Sequence, residues 1–267
     1  MTLGEALREG ARAAGHRAAL LLLRASAGDA YVHGDRPLSP AQAAEYAALL
    51  ARLAGGEPLQ YVLGEWDFCG IAFKVDKRAL IPRPETELLA LAAARALGGG
   101  PKDICDACAG GGCVGLAAVC ADGGRHRLTL ADICPDALAL AGENARMLAG
   151  RHQSEVRLAR WDLLAGAGGM FDVVVSNPPY IRSGDMEGLP PGVKDYEPRI
   201  ALDGGPQGLC LYERLLPQAY AALRPGGRLL LEIGPPEAAE TARRAGFGNV
   251  EVLRDYAGRE RIVAAER

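Results

Sequence analysis

Phe171-Asp172-Val173-Val174-Val175-Ser176-Asn177-Pro178-Pro179-Tyr180 is the stretch from which the fold is read. Its first six residues form a nearly continuous apolar run. A strand wetted on one face would alternate apolar and polar residues, so this run predicts a strand buried on both faces, as in a parallel sheet covered by helices. The run stops at an Asn followed by two prolines, which cannot continue a ladder because they lack N–H donors. In such sheets ligands gather at the carboxyl ends of the strands, where Asn177 to Tyr180 fall.

Working outward from residue 102, strand and helix patterns alternate. The expected strands are Asp103–Ala107, Arg127–Asp132, Glu155–Ala159, Phe171–Ser176, Arg228–Ile233, Val250–Asp255 and Arg261–Ala265, with helices near 113–122, 135–149, 209–223 and 236–245. The last two strands are joined only by Tyr256–Glu260, too short for a helical crossover, so they should pair antiparallel. The fold expected is α/β, a seven-stranded doubly wound sheet whose final strand is reversed. Upstream, Leu3, Leu7 and Ala11, then Ala18–Leu23, then Ala41–Leu53 repeat at helical spacing. Ser39-Pro40 supplies an N-cap with Pro in the first turn, and Gly55-Gly56 a stop. Residues 1–72 are therefore expected to form a small helical domain. A short hairpin around Gly70, running to about residue 78, should connect it to a larger domain over 79–267. Glu85–Leu97 reads as a further helix, ending at a Gly98–Gly100 hinge.

Bulk properties narrow the function. The 267 residues carry a net charge of −3, and 49% are hydrophobic but only 5% aromatic, so the core must be built mostly from Ala, Leu and Val. A pI near 5.9 argues against a protein held to nucleic acid mainly by phosphate attraction. The amino-terminal segment mixes Glu5, Arg8, Glu9 and Arg12 among apolar residues, unlike a secretory signal, and Ala18–Leu23 is far too short to span a bilayer. A cytoplasmic protein without membrane attachment is expected. Seven cysteines, five of them between Cys105 and Cys134, fit no disulfide framework. Cys105 and Cys108 form one C-x-x-C without a second pair, so small buried thiols are expected rather than a metal site.

Three kinds of feature carry chemistry: a glycine-rich loop, acidic residues that end or follow strands, and an Asn-Pro-Pro-Tyr motif. Cys108, Ala109, Gly110, Gly111 and Gly112 lie between a strand and a helix amino terminus, where glycines let backbone approach a ligand closely. Asp132 closes the next strand, about where an acidic residue binds the ribose hydroxyls of an adenosine-containing cofactor; the alternative is a helix cap before Pro135. Asp162 is placed either to meet an adenine amino group or to hold a turn. The third feature is Asn177-Pro178-Pro179-Tyr180. The Asn177 side-chain carbonyl and the Pro178 carbonyl can both accept hydrogen bonds from one planar –NH2 group, while Tyr180 offers a face for stacking. Such a set orients a nitrogen lone pair toward a methyl donor, and a neutral Asn places no full charge beside a sulfonium. The competing reading is a plain Asn-Pro turn.

At these residues the sequence resembles the release factor glutamine methyltransferases (PrmC/HemK). The likeness extends over nearly the whole chain: Pro58–Gly64, Leu80-Ile81-Pro82-Arg83-Pro84-Glu85-Thr86-Glu87, Glu197-Pro198-Arg199, Ala201–Gly205, Glu232-Ile233-Gly234 and Asp255–Arg259 are similar to family blocks. Asn-Pro-Pro-Tyr is shared with nucleic-acid amino-methyltransferases; the Ile-Pro-Arg-Pro-Glu-Thr-Glu stretch is far more specific. The resemblance implies a class I methyltransferase (Rossmann-like) domain behind a helical substrate-recognition domain. It implies S-adenosyl-L-methionine as methyl donor, with S-adenosyl-L-homocysteine as product. The substrate would be the glutamine of Gly-Gly-Gln in class-one release factors, with no direct nucleic-acid substrate. Cys108 to Gly112 and Asp132 would bind the cofactor, Asn177 would touch cofactor and substrate, and Pro178, Pro179 and Tyr180 would complete the glutamine pocket. The chain departs from the family at Cys108, where a glycine is usual. If that position takes a positive φ, a Cβ costs about 1–2 kcal/mol there.

An amide nitrogen is a poor nucleophile, so holding it about 3 Å from the methyl carbon is the largest contribution available. No general base is evident, since His16, His33, His126 and His152 fall in none of the motifs and are expected at the surface or at caps. Arg83, Glu85 and Glu87 either order the pocket's edge or meet the release factor, or else serve structure. Two other functions compete: an amino-methyltransferase of adenine or cytosine, which predicts a basic face, and a non-catalytic module whose cofactor loop Cys108 has spoiled. Residues 1–72 show no Lys/Arg stripe, and the four-residue motif is intact.

Overall fold

The computed structural model describes residues 1–28, 34–98 and 100–267. His33 and the middle of the Gly98–Gly100 hinge fall outside them. The chain divides into two compact units, Met1–Trp66 with Pro190–Tyr196, and Asp67–Leu189 with Glu197–Arg267.

The first unit holds α1 (Leu3–Ala14), α2 (His16–Ala27), α3 (Pro40–Ala54) and the single turn α4 (Leu59–Leu63). Both α1 and α3 begin with reciprocal capping, Thr2 with Glu5 and Ser39 with Gln42, so the N–H groups of the cap and of the third helical residue have partners in each. Leu3, Ala6, Leu22, Leu23, Tyr46 and Val62 are buried together as its core. The Tyr46 hydroxyl donates to the Ala6 carbonyl at 3.0 Å.

The hairpin of β1 (Glu65–Phe68), within which the division of the chain falls, and β2 (Ile71–Lys74) turns through Cys69 and Gly70, at φ 54° and 71°. Two successive positive φ values are the signature of the turn whose twist matches paired strands. A 3₁₀ turn at Pro84–Thr86 leads into α5 (Glu87–Leu97), so the helix expected from Glu85 begins two residues later. Then follow β3 (Asp103–Ala107), α6 (Cys113–Asp122), β4 (Arg127–Asp132), α7 (Pro135–Met147), β5 (Glu155–Arg160) and β6 (Phe171–Ser176). The short helix α8 (Pro191–Lys194) lies in the segment grouped with the first unit. The chain continues through α9 (Cys210–Ala222), β7 (Leu223–Glu232), α10 (Glu237–Arg244), β8 (Gly248–Arg254) and β9 (Glu260–Glu266).

The seven strands β3–β9 form one sheet in the order β5-β4-β3-β6-β7-β9-β8, parallel except for β9, which runs antiparallel to both neighbours. The doubly wound sheet with a reversed last strand is thus as expected. Strand β7 begins at Leu223, five residues earlier than its apolar run indicates. Its Pro225-Gly226-Gly227 passes through a register irregularity opposite Phe171/Val173. A bulge is where a strand accepts Pro and Gly.

Burial alternates along the strands. Cys105, Ala107, Val174, Leu229 and Leu231 face α9 and α10, while Ile104, Val173, Val175, Leu128 and Leu230 face α5, α6 and the hairpin. Both faces are closed, which is why these strands read as continuous apolar runs. Among the described residues no helix is long and apolar enough to cross a membrane. His126 corrects its expectation: it is buried at 3% exposure, with Nε2 2.7 Å from an Asp122 carboxylate oxygen, so it is an internal partner rather than a surface residue. His152 accepts the Ser154 N–H at 3.2 Å, a local cap, and His16 is exposed at the start of α2.

Candidate active site

The order of strands turns back at β3 and β6: from β3 the sheet grows to β4 and β5 on one side, and to β6 and β7 on the other. Neighbouring strands that lead away in opposite directions leave a crevice at their carboxyl ends. The register sets Ala107 opposite Ser176, so the loop from Cys108 and the loop from Asn177 leave the sheet side by side. The buried Ser176 hydroxyl donates to the Ala107 carbonyl at 2.7 Å and ties the two exits together.

A cavity of 530 Å³ opens there. Cys108, Ala109, Gly110, Gly111, Asp132, Asp162, Asn177 and Pro179 all line it. Three other sequence-predicted residues stand outside its lining. Gly112 is the N-cap of α6, at φ 80°; a Cβ there would meet Leu130 Cδ1 at 3.0 Å and Leu116 Cδ1 at 3.2 Å, so its space is taken by core. Pro178 is buried. Tyr180 packs its ring against the buried layer under α9 and donates its hydroxyl to Glu232 Oε1 at 3.4 Å. The chain is glycine wherever it crosses this tyrosine: a Cβ at Gly204 would come within 2.6 Å of Tyr180 Cα, and side chains at Gly208 and Gly234 would collide with its carbonyl and its ring.

The glycine loop is held by Asp132, whose Oδ2 accepts the Gly110 N–H and Oδ1 the Cys134 N–H, both at 2.9 Å. The N-cap of α7 is Cys134 itself, without a side-chain cap bond, so Asp132 braces the loop and does not cap the helix. Gly110 is at φ 53° with open space where a side chain would start, Ala79 Cβ at 3.8 Å being its nearest neighbour. Cys108 is at φ 58°, the left-handed conformation in which its Cβ is strained. Burial, then the charge of Asp132, pushes its thiol up to about 12. Asp162 forms an ion pair with Arg214 at 2.5 Å on the cavity's rim, and its carbonyl also accepts the Ala165 N–H in a turn.

Some lining residues, Asp106 and the apolar wall, carried no motif strong enough to mark them in the sequence, whereas Arg83, Thr86, Pro198, Arg199 and Ala201 lie in the blocks quoted above. Asp106 is buried at 2% exposure and accepts the Gly115 N–H at 2.8 Å; burial raises its carboxyl to about 7. Ile133, Ala137, Trp161, Leu163 and Leu211 supply apolar wall. On the side of Asn177 the wall is Arg83, Thr86 and Pro198 to Ala201. Arg83 is ion-paired with the buried Glu197, whose other oxygen accepts the Ile81 N–H at 3.1 Å. Glu87 accepts the Cys69 N–H at 3.1 Å, a structural bond. Among the described residues no group of three or more His, Cys, Asp or Glu side chains is arranged to hold a metal ion.

These residues fit an adenosine-containing cation. Each Asp132 oxygen uses one lone pair on the loop and keeps another for a hydroxyl. The Gly110 surface would be filled by any Cβ, and apolar walls flank the acidic residue. Sheet, glycine loop and acidic strand end together define the class I S-adenosylmethionine-dependent methyltransferase fold.

Comparison with known proteins agrees. The family model described as the PrmC N-terminal domain matches residues 4–64, and the methyltransferase small domain matches residues 86–188. A release factor glutamine methyltransferase of Cereibacter sphaeroides is 38% identical over 98% of this chain and 92% of its own length. That of Moorella thermoacetica is 42% identical over 87% and 83%. Among solved structures, a methyltransferase from Pyrococcus furiosus matches with a TM-score of 0.53 at 17% identity, covering 82% of this chain and 98% of its own. A 16S rRNA N2 G1207 methyltransferase of T. thermophilus, solved with AdoMet and guanosine, matches at 0.52 and 18%, covering 76% and 49%. The two structures share the fold alone. The chain belongs to the release factor glutamine methyltransferase family.

Proposed function

We propose that this protein transfers a methyl group from S-adenosylmethionine to the side-chain amide nitrogen (N5) of the glutamine in the Gly-Gly-Gln of class-one release factors. Asn177 and Pro179 line the same cavity as the glycine loop and Asp132, and this single observation carries the reading. When bound, the cofactor supplies an electrophilic methyl carbon on a sulfonium. The protein's work is then positioning. The Asn177 Oδ1, at the cavity wall, accepts a hydrogen of the substrate –NH2, turns its lone pair toward the methyl and stabilises the positive charge that builds on nitrogen. Asp132 and Gly110 hold the ribose side of the cofactor, and the apolar wall of Ile133 and Trp161 keeps water out. Tyr180, packed from behind, sets the path of the Pro178-Pro179 segment. The helical unit of residues 1–66 serves to recognise the release factor in the cytoplasm, and no nucleic acid is a direct substrate.

The test is incubation with methyl-labelled S-adenosylmethionine and a purified release factor, beside a factor carrying Gln→Ala in Gly-Gly-Gln. Label on the first and none on the second is expected. Label entering RNA or DNA, with none on either factor, would overturn the reading.

A further inference from the structure

The buried face of α7 is made of Ala, Leu and Gly except at Asn144, an amide with no exposed surface. A buried carboxamide is costly unless its polar atoms are satisfied. Asn144 Oδ1 accepts the Lys74 N–H at 2.8 Å, and Nδ2 donates to two carbonyls, that of Lys74 at 3.1 Å and that of Gly111 at 2.9 Å. Carbonyls only accept and an N–H only donates, so a single orientation of the side chain serves all three. Gly111 lines the cavity and Asn144 does not. The segment after Lys74 is fastened to the same helix. Lys74 Nζ and Arg78 pair with Glu143 at 2.6 and 2.7 Å, and Ala79 packs with Ala137 and Leu140.

We propose that Asn144 is a positioning residue for the cofactor, a bracket that fixes Gly111 of the glycine loop to α7 and to the end of β2 before the ligand arrives. The other bonds of the loop leave this task to it. Ala109 donates to the Ala131 carbonyl at 3.0 Å and Gly110 to Asp132 at 2.9 Å, so β4 holds the first half of the loop. Gly112 donates to the Ala109 carbonyl at 2.8 Å, and its own carbonyl accepts the Leu116 N–H, so Gly112 belongs to the start of α6. Gly111 falls between the two tethers. Its carbonyl is held by Asn144, and among the described residues its N–H is the one amide from Ala109 to Gly112 without a protein partner. That N–H is the donor the loop keeps for an acceptor on the ligand.

Glycine has the most backbone freedom to lose, and fixing one residue costs enough entropy to move an equilibrium about tenfold. With the Gly111 carbonyl pinned, the loss is met in folding and not charged to binding, which is preorganisation. Coupling of this kind is reciprocal. If Asn144 tightens cofactor binding tenfold, bound cofactor must suppress the opening of the Asn144 bonds tenfold.

The inference concerns the cofactor and holds whatever the methyl acceptor is. Calorimetric titration with S-adenosylmethionine should give a Kd at least tenfold weaker for Asn144→Ala than for wild type. Leu216→Ala, a core variant that touches neither loop nor cavity, should bind within twofold of wild type, which separates positioning from stability. A second readout uses the wild type and stands even where Asn144→Ala does not fold. In the ¹⁵N-labelled protein, saturation with S-adenosylmethionine should slow exchange of the Asn144 side-chain –NH2 and of the Lys74 N–H about tenfold. The Gly70 N–H, held by Asp67 at 3.2 Å in the hairpin turn, should keep its rate. A Kd for folded Asn144→Ala within threefold of wild type would overturn the proposal. So would an Asn144 –NH2 whose exchange ignores the cofactor, or a slowing that Gly70 shares.

Discussion

Gly110 and Gly112 are two residues apart in one loop and both at positive φ, yet they are glycine for different reasons. At Gly110 a Cβ would enter the open cavity; at Gly112 it would press on Leu130, Leu116 and Ala141. Gly110→Ala should cost only the backbone strain, about 1 kcal/mol, but weaken cofactor binding at least tenfold. Gly112→Ala adds overpacking to the strain and should cost about 2–4 kcal/mol. Urea melts and calorimetry separate the two. Asp106 makes a second prediction at this scale. Its folded-state carboxyl, near 7, lies above the ordinary value of 3.8, so between these pH values the folded chain binds more protons than the unfolded one. Stability from this group is therefore present below pH 4 and declines as pH rises, by up to about 1.4 kcal/mol per unit, until about 7. The carboxylates held low by cations, such as Asp103 beside Arg127 and Asp76 beside Arg78, titrate below this window with the opposite slope. Asp106→Asn should flatten the decline, and denaturant midpoints taken from pH 4.5 to 7 would show it.

At the scale of elements, the strands were legible wherever burial on both faces made a run of Ile, Leu and Val. The carboxyl end of β6 was legible because Asn-Pro-Pro cannot continue a strand. The start of β7 was not, because Pro225-Gly226-Gly227 reads as a turn and is paired only across a bulge. The bonds from Asn144 to Lys74 and Gly111 join residues far apart in sequence, and no local spacing announces them. Lone histidines carry no pattern, so nothing in the local sequence marks the buried His126–Asp122 pair. Helix α9 seals one face of the sheet with Tyr212, Leu215, Leu216 and Ala219, all fully buried. Leu216→Ala should cost about 2–5 kcal/mol, read as a lowered urea midpoint with an unchanged slope.

For the molecule as a whole, a net charge of −3 bears on how a substrate is found. A protein gripping nucleic acid through many phosphates loses affinity by about 10³-fold or more between 50 and 200 mM salt. A cavity that captures a neutral amide gains little from counterion release. The kcat/KM for the release factor should change by less than about fivefold over that range, which initial rates would establish.

Strand β9 lies between β7 and β8 and runs against both. A chain emerging residue by residue from the ribosome makes β8 first, at a time when its only partner in the sheet does not yet exist. Until β9 inserts, β7 carries a bare edge. The layer beneath α9 and α10 then lacks Val263 and Ala265, so closure of the sheet must wait for Glu260–Glu266 to be synthesised. The protein is thus committed to assembling its large unit after that strand is made, and the unpaired edge of β7 is the surface that a chaperone or a neighbouring nascent chain would meet in the interval.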